Sequence, residues 1–212
     1  MKSHIPNLLT ALRLVLSVAS FVALLMIGSG KWPASELPLA WFAVAAFVVA
    51  AVTDFFDGWL ARRWKVVSVM GAILDPIGDK ILVCGGILGL IAVAARVQGA
   101  TGLMVALIAP GGIILFREFA VSALREVLAP RGLKLPVTFL AKTKTTLQLV
   151  ALTALMVVVM WPAWRVDATS AQLRGGLLLA EGLYWLAALV TLWTGLEYGR
   201  SAALALRKTA GS

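Results

Sequence analysis

Six stretches of this chain carry no charged residue: Leu14–Gly30, Leu37–Thr53, Ile81–Ala95, Val97–Phe116, Thr145–Trp164 and Gly182–Leu196. A helix needs about 20 mostly apolar residues to cross the hydrocarbon core of a bilayer. The shorter stretches reach that length when flanking residues such as Asp79, Lys80 and Glu181 belong to the same helices. Alternating barrel strands are missing from the pattern, and lipid offers no partner to open backbone groups. The chain therefore reads as an all-α membrane protein with six transmembrane helices. Its start, Met1–Leu9, is short and polar, and the apolar segment after it is too long for a signal peptide, so it counts as helix one. Without a 20–50-residue repeat or a separate polar block, residues 1–212 read as a single integral membrane domain.

Composition agrees and adds a direction. Hydrophobic residues make up 61% of the 212 and charged ones only 14%, against about 25% charged in a soluble domain. Such a chain is neither disordered nor an ordinary soluble enzyme, and no nucleic-acid partner is expected. One cysteine, Cys84, excludes an internal disulfide framework and a Cys-rich metal site. The net charge is +9, from 19 Lys+Arg and 10 Asp+Glu. A six-span topology puts both termini on one side. Fifteen of the 19 bases then fall on that side, leaving Lys31, Arg96, Arg165 and Arg174 on the other. Cytoplasmic loops carry the Lys/Arg excess, so both termini are predicted to be cytoplasmic.

Four of the ten acids occupy one window around the junction of the second and third spans. Asp54 and Asp57 are three residues apart, and Asp75 and Asp79 four, so each pair shares one helical face. Helices two and three join through the basic turn Arg62–Lys65 and are expected to be antiparallel neighbours with all four carboxylates at one depth. An intramembrane Asp costs about 2.5–3.5 kcal/mol at a helix centre, and less near the interface. Four together repel, and without compensation some would stay protonated. Hard divalent cations such as Mg²⁺ or Mn²⁺ prefer oxygen ligands and neutralise the charge. No His or Cys joins the window, which argues against zinc. Two bridged ions would form a phosphoryl-transfer arrangement.

At these residues the chain resembles the CDP-alcohol phosphotransferase family. Asp54-x2-Asp57-Gly58-x2-Ala61-Arg62-x8-Gly71-x3-Asp75-x3-Asp79 matches the family signature at all eight fixed positions. Three further segments resemble the bacterial branch that uses glycerol 3-phosphate: Ile5–Arg13, Arg117–Glu126 and Lys142–Gln148. The resemblance implies an amphipathic N-terminal segment before six membrane helices, a homodimer, and a place in the bacterial inner membrane with the active site facing the cytoplasm. It implies transfer of a phosphatidyl group from CDP-diacylglycerol to glycerol 3-phosphate, with release of CMP. It also implies two divalent ions, Mg²⁺ or Mn²⁺, held by Asp54, Asp57 and Asp75, with Asp79 as general base in possible metal contact. Asn7, Thr10, Arg13, Gly58, Ala61 and Arg62 are then the expected donor-binding residues.

An acceptor phosphate needs a second basic site, for which Arg117, Arg125, Lys142 and Lys144 are the candidates. Arg117 ends a 20-residue charge-free stretch, and Arg grips phosphate bidentately where Lys is a point charge. Glu118 is placed to orient an Arg. The acidic signature alone leaves other acceptors open: inositol phosphate, serine or phosphatidylglycerol. A cation transporter is the rival of another class, but such folds show repeated halves and mid-bilayer sites, whereas these carboxylates cluster once, at one side.

Overall fold

The computed structural model describes residues 4–64, 69–96, 101–131, 139–161 and 169–210. Some side chains within its helices, including those of Asp57, Ala61, Arg62, Asp75 and Lys142, lie outside that description. The described residues form six α-helices and no strand. They are α1 His4–Ser29, α2 Glu36–Trp64, α3 Val69–Ala94, α4 Thr101–Leu128, α5 Phe139–Val159 and α6 Ser170–Ala210. Short 3-10 turns, Pro33–Ser35 and Ala129–Arg131, precede α2 and follow α4. Five helices contain apolar runs long enough to cross a bilayer, and α5 carries a shorter one, Thr143–Val159. The chain is a multi-pass membrane protein. The polar start forms the first described turns of α1 rather than a separate helix.

Helix ends follow their local chemistry. Gly30 takes φ +67°, which an L side chain rarely adopts, and its N–H donates to the Ile27 carbonyl at 3.1 Å. This left-handed residue ends α1. Arg96, just beyond α3, donates to the same carbonyl at 3.2 Å and pairs with Glu36 at the start of α2. One guanidinium thus ties together three helix ends. Thr169 and Gln172 form a reciprocal capping box at the start of α6: the Gln172 N–H donates to Thr169 Oγ1, and the Thr169 N–H to Gln172 Oε1.

Helix pairing departs from chain order. The sequence suggested that α2 and α3 pack directly; instead α1 lies along both, while α2 and α3 touch each other only sparsely. Small residues permit this. A Cβ on Gly28 would sit 2.8 Å from the Ala92 backbone, one on Gly89 2.6 Å from Leu24, and one on Gly85 3.2 Å from Phe21. Gly85 and Gly89 are four apart, the small-xxx-small spacing that lets membrane helices approach closely. Toward α2, Ser20 Oγ donates to the Ala43 carbonyl at 2.8 Å. Leu24, Phe47, Ile87, Leu90, Leu107, Leu152, Met156 and Tyr184 fill a core shared by all six helices. Outward faces carry Val15, Trp41, Val105, Phe116, Leu178 and Trp193. That inversion of the soluble pattern suits lipid as the surrounding solvent.

Candidate active site

The inward face of α1 is polar over its first half and apolar beyond it, at Ala23, Leu24 and Ile27. Thr10, Arg13, Ser17 and Ser20 recur at spacings of three and four, so they form one stripe, and each is at most 2% exposed. The Ser17 hydroxyl closes locally on the Arg13 carbonyl at 2.7 Å. Arg13 extends from this stripe to the place where α2 ends and α3 begins. Its Nη1 pairs with Asp54 Oδ1 and donates to Asp79 Oδ1 at 2.9 Å. The guanidinium is fully buried, whereas the Asp79 side chain is half exposed. A cation therefore lies beneath two carboxylates that open outward.

Gly78 makes this placement possible. A Cβ there would stand 2.9 Å from Arg13 Nε and Nη2, so only a bare backbone lets the planar guanidinium lie against α3. Asp57 follows Asp54 on α2, and Asp75 precedes Asp79 on α3; both side chains lie outside the described residues, as do those of Ala61 and Arg62. Gly58 lies within α2. Asn7 is half-buried near the start of α1.

Among the described residues no group of three or more His, Cys, Asp or Glu is placed to hold a metal ion. The described carboxylates, Asp54 and Asp79, both pair with Arg13 Nη1; they are of the oxygen-donor type that Mg²⁺ and Mn²⁺ select.

Three of the basic candidates, Arg117, Arg125 and Lys144, gather around Glu118 and Tyr198. Arg117 of α4 is 8% exposed although it is charged. Its Nη1 donates to Glu118 at 3.4 Å and its Nη2 to Thr194 Oγ1 of α6 at 3.3 Å. Gly195 leaves room for its stem, since a Cβ there would lie 2.7 Å from Arg117 Cγ. Lys144 of α5 is buried and pairs with Glu118. Arg125, two turns beyond Arg117, donates to the Tyr198 hydroxyl at 3.0 Å. Lys142 is on α5, one turn or less from Lys144, with its side chain outside the described residues. Deeper in the membrane, Gln148 donates to Thr191 Oγ1 at 2.7 Å, tying α5 to α6. Lys80, next to Asp79, lies 5.9 Å from the centre of the Phe119 ring, next to Glu118. α3 and α4 thus meet at the level of Asp79 and Glu118.

Sequence reasoning missed Gly78, Thr194 and Tyr198. The chain has only two tyrosines, both buried on α6, but nothing local distinguishes Tyr198 from an aromatic anchor at a membrane interface.

Fold and site together define a helical membrane protein with a carboxylate pair and a basic cluster side by side at the same helix ends. The chain belongs to the CDP-alcohol phosphatidyltransferase family, whose sequence profile matches residues 3–193. A relative from Cereibacter sphaeroides, named CDP-diacylglycerol–glycerol-3-phosphate 3-phosphatidyltransferase, is 44% identical over 155 residues, 73% of this chain. That match spans 64% of the relative's length, just under two thirds. Relatives of the same name from Shigella flexneri serotype 5b and Escherichia coli K12 are each 36% identical over 203 residues, covering 93% of this chain and 94% of theirs.

Proposed function

We propose that this protein transfers the phosphatidyl group of CDP-diacylglycerol to glycerol 3-phosphate, giving phosphatidylglycerophosphate and CMP. The observation that carries the reading is the juxtaposition of two centres of opposite charge. Asp54 and Asp79 converge at one, while Arg117, Arg125 and Lys144 surround Glu118 and Tyr198 at the other. A diphosphate donor needs its charge neutralised, and a phosphorylated acceptor needs cations. The names of the relatives support the same pair of substrates.

Divalent cations serve this family generally. Asp54, Asp57, Asp75 and Asp79 would hold them here, as two Mg²⁺ or Mn²⁺ ions, and the metal would neutralise the diphosphate and polarise its phosphorus. Arg13 fixes Asp54 and Asp79 relative to each other and keeps their charges from forcing the helix ends apart. Asn7 and Thr10 on α1, with Gly58, Ala61 and Arg62 on α2, flank the donor. Arg117, Arg125, Lys142 and Lys144 hold the acceptor phosphate. Asp79 takes the proton of the acceptor hydroxyl as its oxygen bonds to the lipid-side phosphorus. The bond from that phosphorus to the diphosphate bridge breaks, and CMP leaves with the electron pair. The protein works as a single domain and a homodimer in the bacterial inner membrane, its active site facing the cytoplasm.

A panel of acceptors with radiolabelled CDP-diacylglycerol tests this. Labelled lipid product should form with glycerol 3-phosphate, cease when EDTA removes divalent ions, and return with Mg²⁺ or Mn²⁺. A product formed with inositol phosphate, serine or phosphatidylglycerol, and none with glycerol 3-phosphate, would overturn the acceptor assignment.

A further inference from the structure

Tyr198 stands between two arginines. Arg117 and Arg125 lie eight residues apart on α4, about 12 Å along its axis. The ring of Tyr198 reaches across from α6 and meets both: the guanidinium carbons are 5.5 Å and 5.2 Å from its centre. Its hydroxyl accepts a hydrogen bond from Arg125 at 3.0 Å, and the residue is 3% exposed.

Two neighbouring cations repel, and something must hold them at a fixed separation. A carboxylate would do so by cancelling charge. An aromatic ring attracts cations through its negative face and remains neutral. Glu118 already interacts with Arg117 and Lys144. A second acid in place of Tyr198 would halve the net charge of the cluster of Arg117, Arg125, Lys144 and Glu118. With tyrosine the cluster keeps two net positive charges, and a phosphate monoester near neutral pH carries about −1.5 to −2. Thr194, one turn before Tyr198 on the same face of α6, accepts from Arg117 at 3.3 Å and donates to the Thr191 carbonyl at 2.9 Å. These contacts orient the guanidiniums without drawing down their charge.

We propose that Tyr198 is a positioning residue that sets selectivity for a phosphorylated acceptor, by fixing the spacing of Arg117 and Arg125 while leaving their charge available. This rests on the reading of the acceptor given above. The test uses the full chain in mixed micelles with CDP-diacylglycerol and Mg²⁺, and measures initial rates against each substrate separately. Tyr198→Phe keeps the ring and loses the hydroxyl; Tyr198→Leu loses both. The KM for glycerol 3-phosphate should rise about threefold in the Phe variant and tenfold or more in the Leu variant. The KM for CDP-diacylglycerol should stay unchanged and kcat should remain within twofold of wild type. A KM for glycerol 3-phosphate unchanged in the Phe variant, or rising in step with the donor KM, overturns the proposal. Should Tyr198→Leu fail to fold, the nearly isosteric Phe variant decides alone. A wild-type protein that makes no product from glycerol 3-phosphate would instead reject the acceptor reading before any variant is compared.

Discussion

A buried guanidinium beneath two half-open carboxylates sets the chemistry at the residue scale. Arg13 holds Asp54 and Asp79 through one nitrogen, so loss of either acid leaves the other still paired. Asp79→Asn should therefore give a folded protein whose turnover falls by about 10²–10⁴, the usual contribution of a general base. CMP release and thermal unfolding measured together check it, and full activity in the pure variant would remove Asp79 from that role. Gly78→Ala tests the placement of that cation. The added methyl meets the guanidinium at 2.9 Å, and disturbing a buried ion pair outweighs the roughly 1 kcal/mol by which alanine favours a helix over glycine. Unfolding temperature should fall and activity drop about tenfold. Undiminished activity would mean that the placement of Arg13 is not needed for turnover.

Among the elements, α1 does what its composition hides. Its apolar run marks it as an ordinary span, yet the first half of its buried face is Thr10, Arg13, Ser17 and Ser20, and it takes the place between α2 and α3. The glycines that admit it are Gly28, Gly85 and Gly89. Gly28→Ala should be among the costliest small substitutions, because its Cβ would meet the Ala92 backbone at 2.8 Å and backbone cannot rotate away. Overpacking of this kind costs about 1–3 kcal/mol. A lower unfolding temperature in detergent, with near-normal specific activity of the folded fraction, is the expected result; unchanged stability would show that α1 and α3 separate freely there. The six helices were legible because each is a long charge-free run, and a span is decided by length and polarity alone. Of the acidic window, the described side chains are Asp54 and Asp79, one from each spaced pair, and their meeting on Arg13 was not legible because it depends on a third helix. The insertion of α1 was not legible either, since pairing between helices depends on which faces carry the small residues, and chain order favours neighbours. Tyr198 was hidden for a similar reason: its meaning comes from Arg117 and Arg125 on another helix.

At the scale of the whole molecule, the helix ends sort the charges. Six helices that cross in turn put the start of α1, the end of α2, the start of α3, the end of α4, the start of α5 and the end of α6 on one side of the membrane. Arg13, Asp54, Asp79, Arg125, Lys144 and Tyr198 all belong to those ends. The opposite ends hold the Arg96–Glu36 pair. Fifteen of the 19 bases follow the first set, and the charge bias of membrane insertion supports the proposed cytoplasmic placement of that set. Under the proposed function, a soluble acceptor and released CMP would then meet the site from the compartment where nucleotides are kept. Single cysteines in a Cys84→Ala background test the orientation. Ala34→Cys and Ser170→Cys, at exposed positions on the opposite ends, should react with a membrane-impermeant maleimide in intact cells. Ala129→Cys and Ala203→Cys, exposed at the ends that carry the site, should react only after permeabilisation. The reverse pattern would place the carboxylates and the basic cluster outside, and would separate the proposed site from a cytoplasmic supply of both phosphorylated substrates.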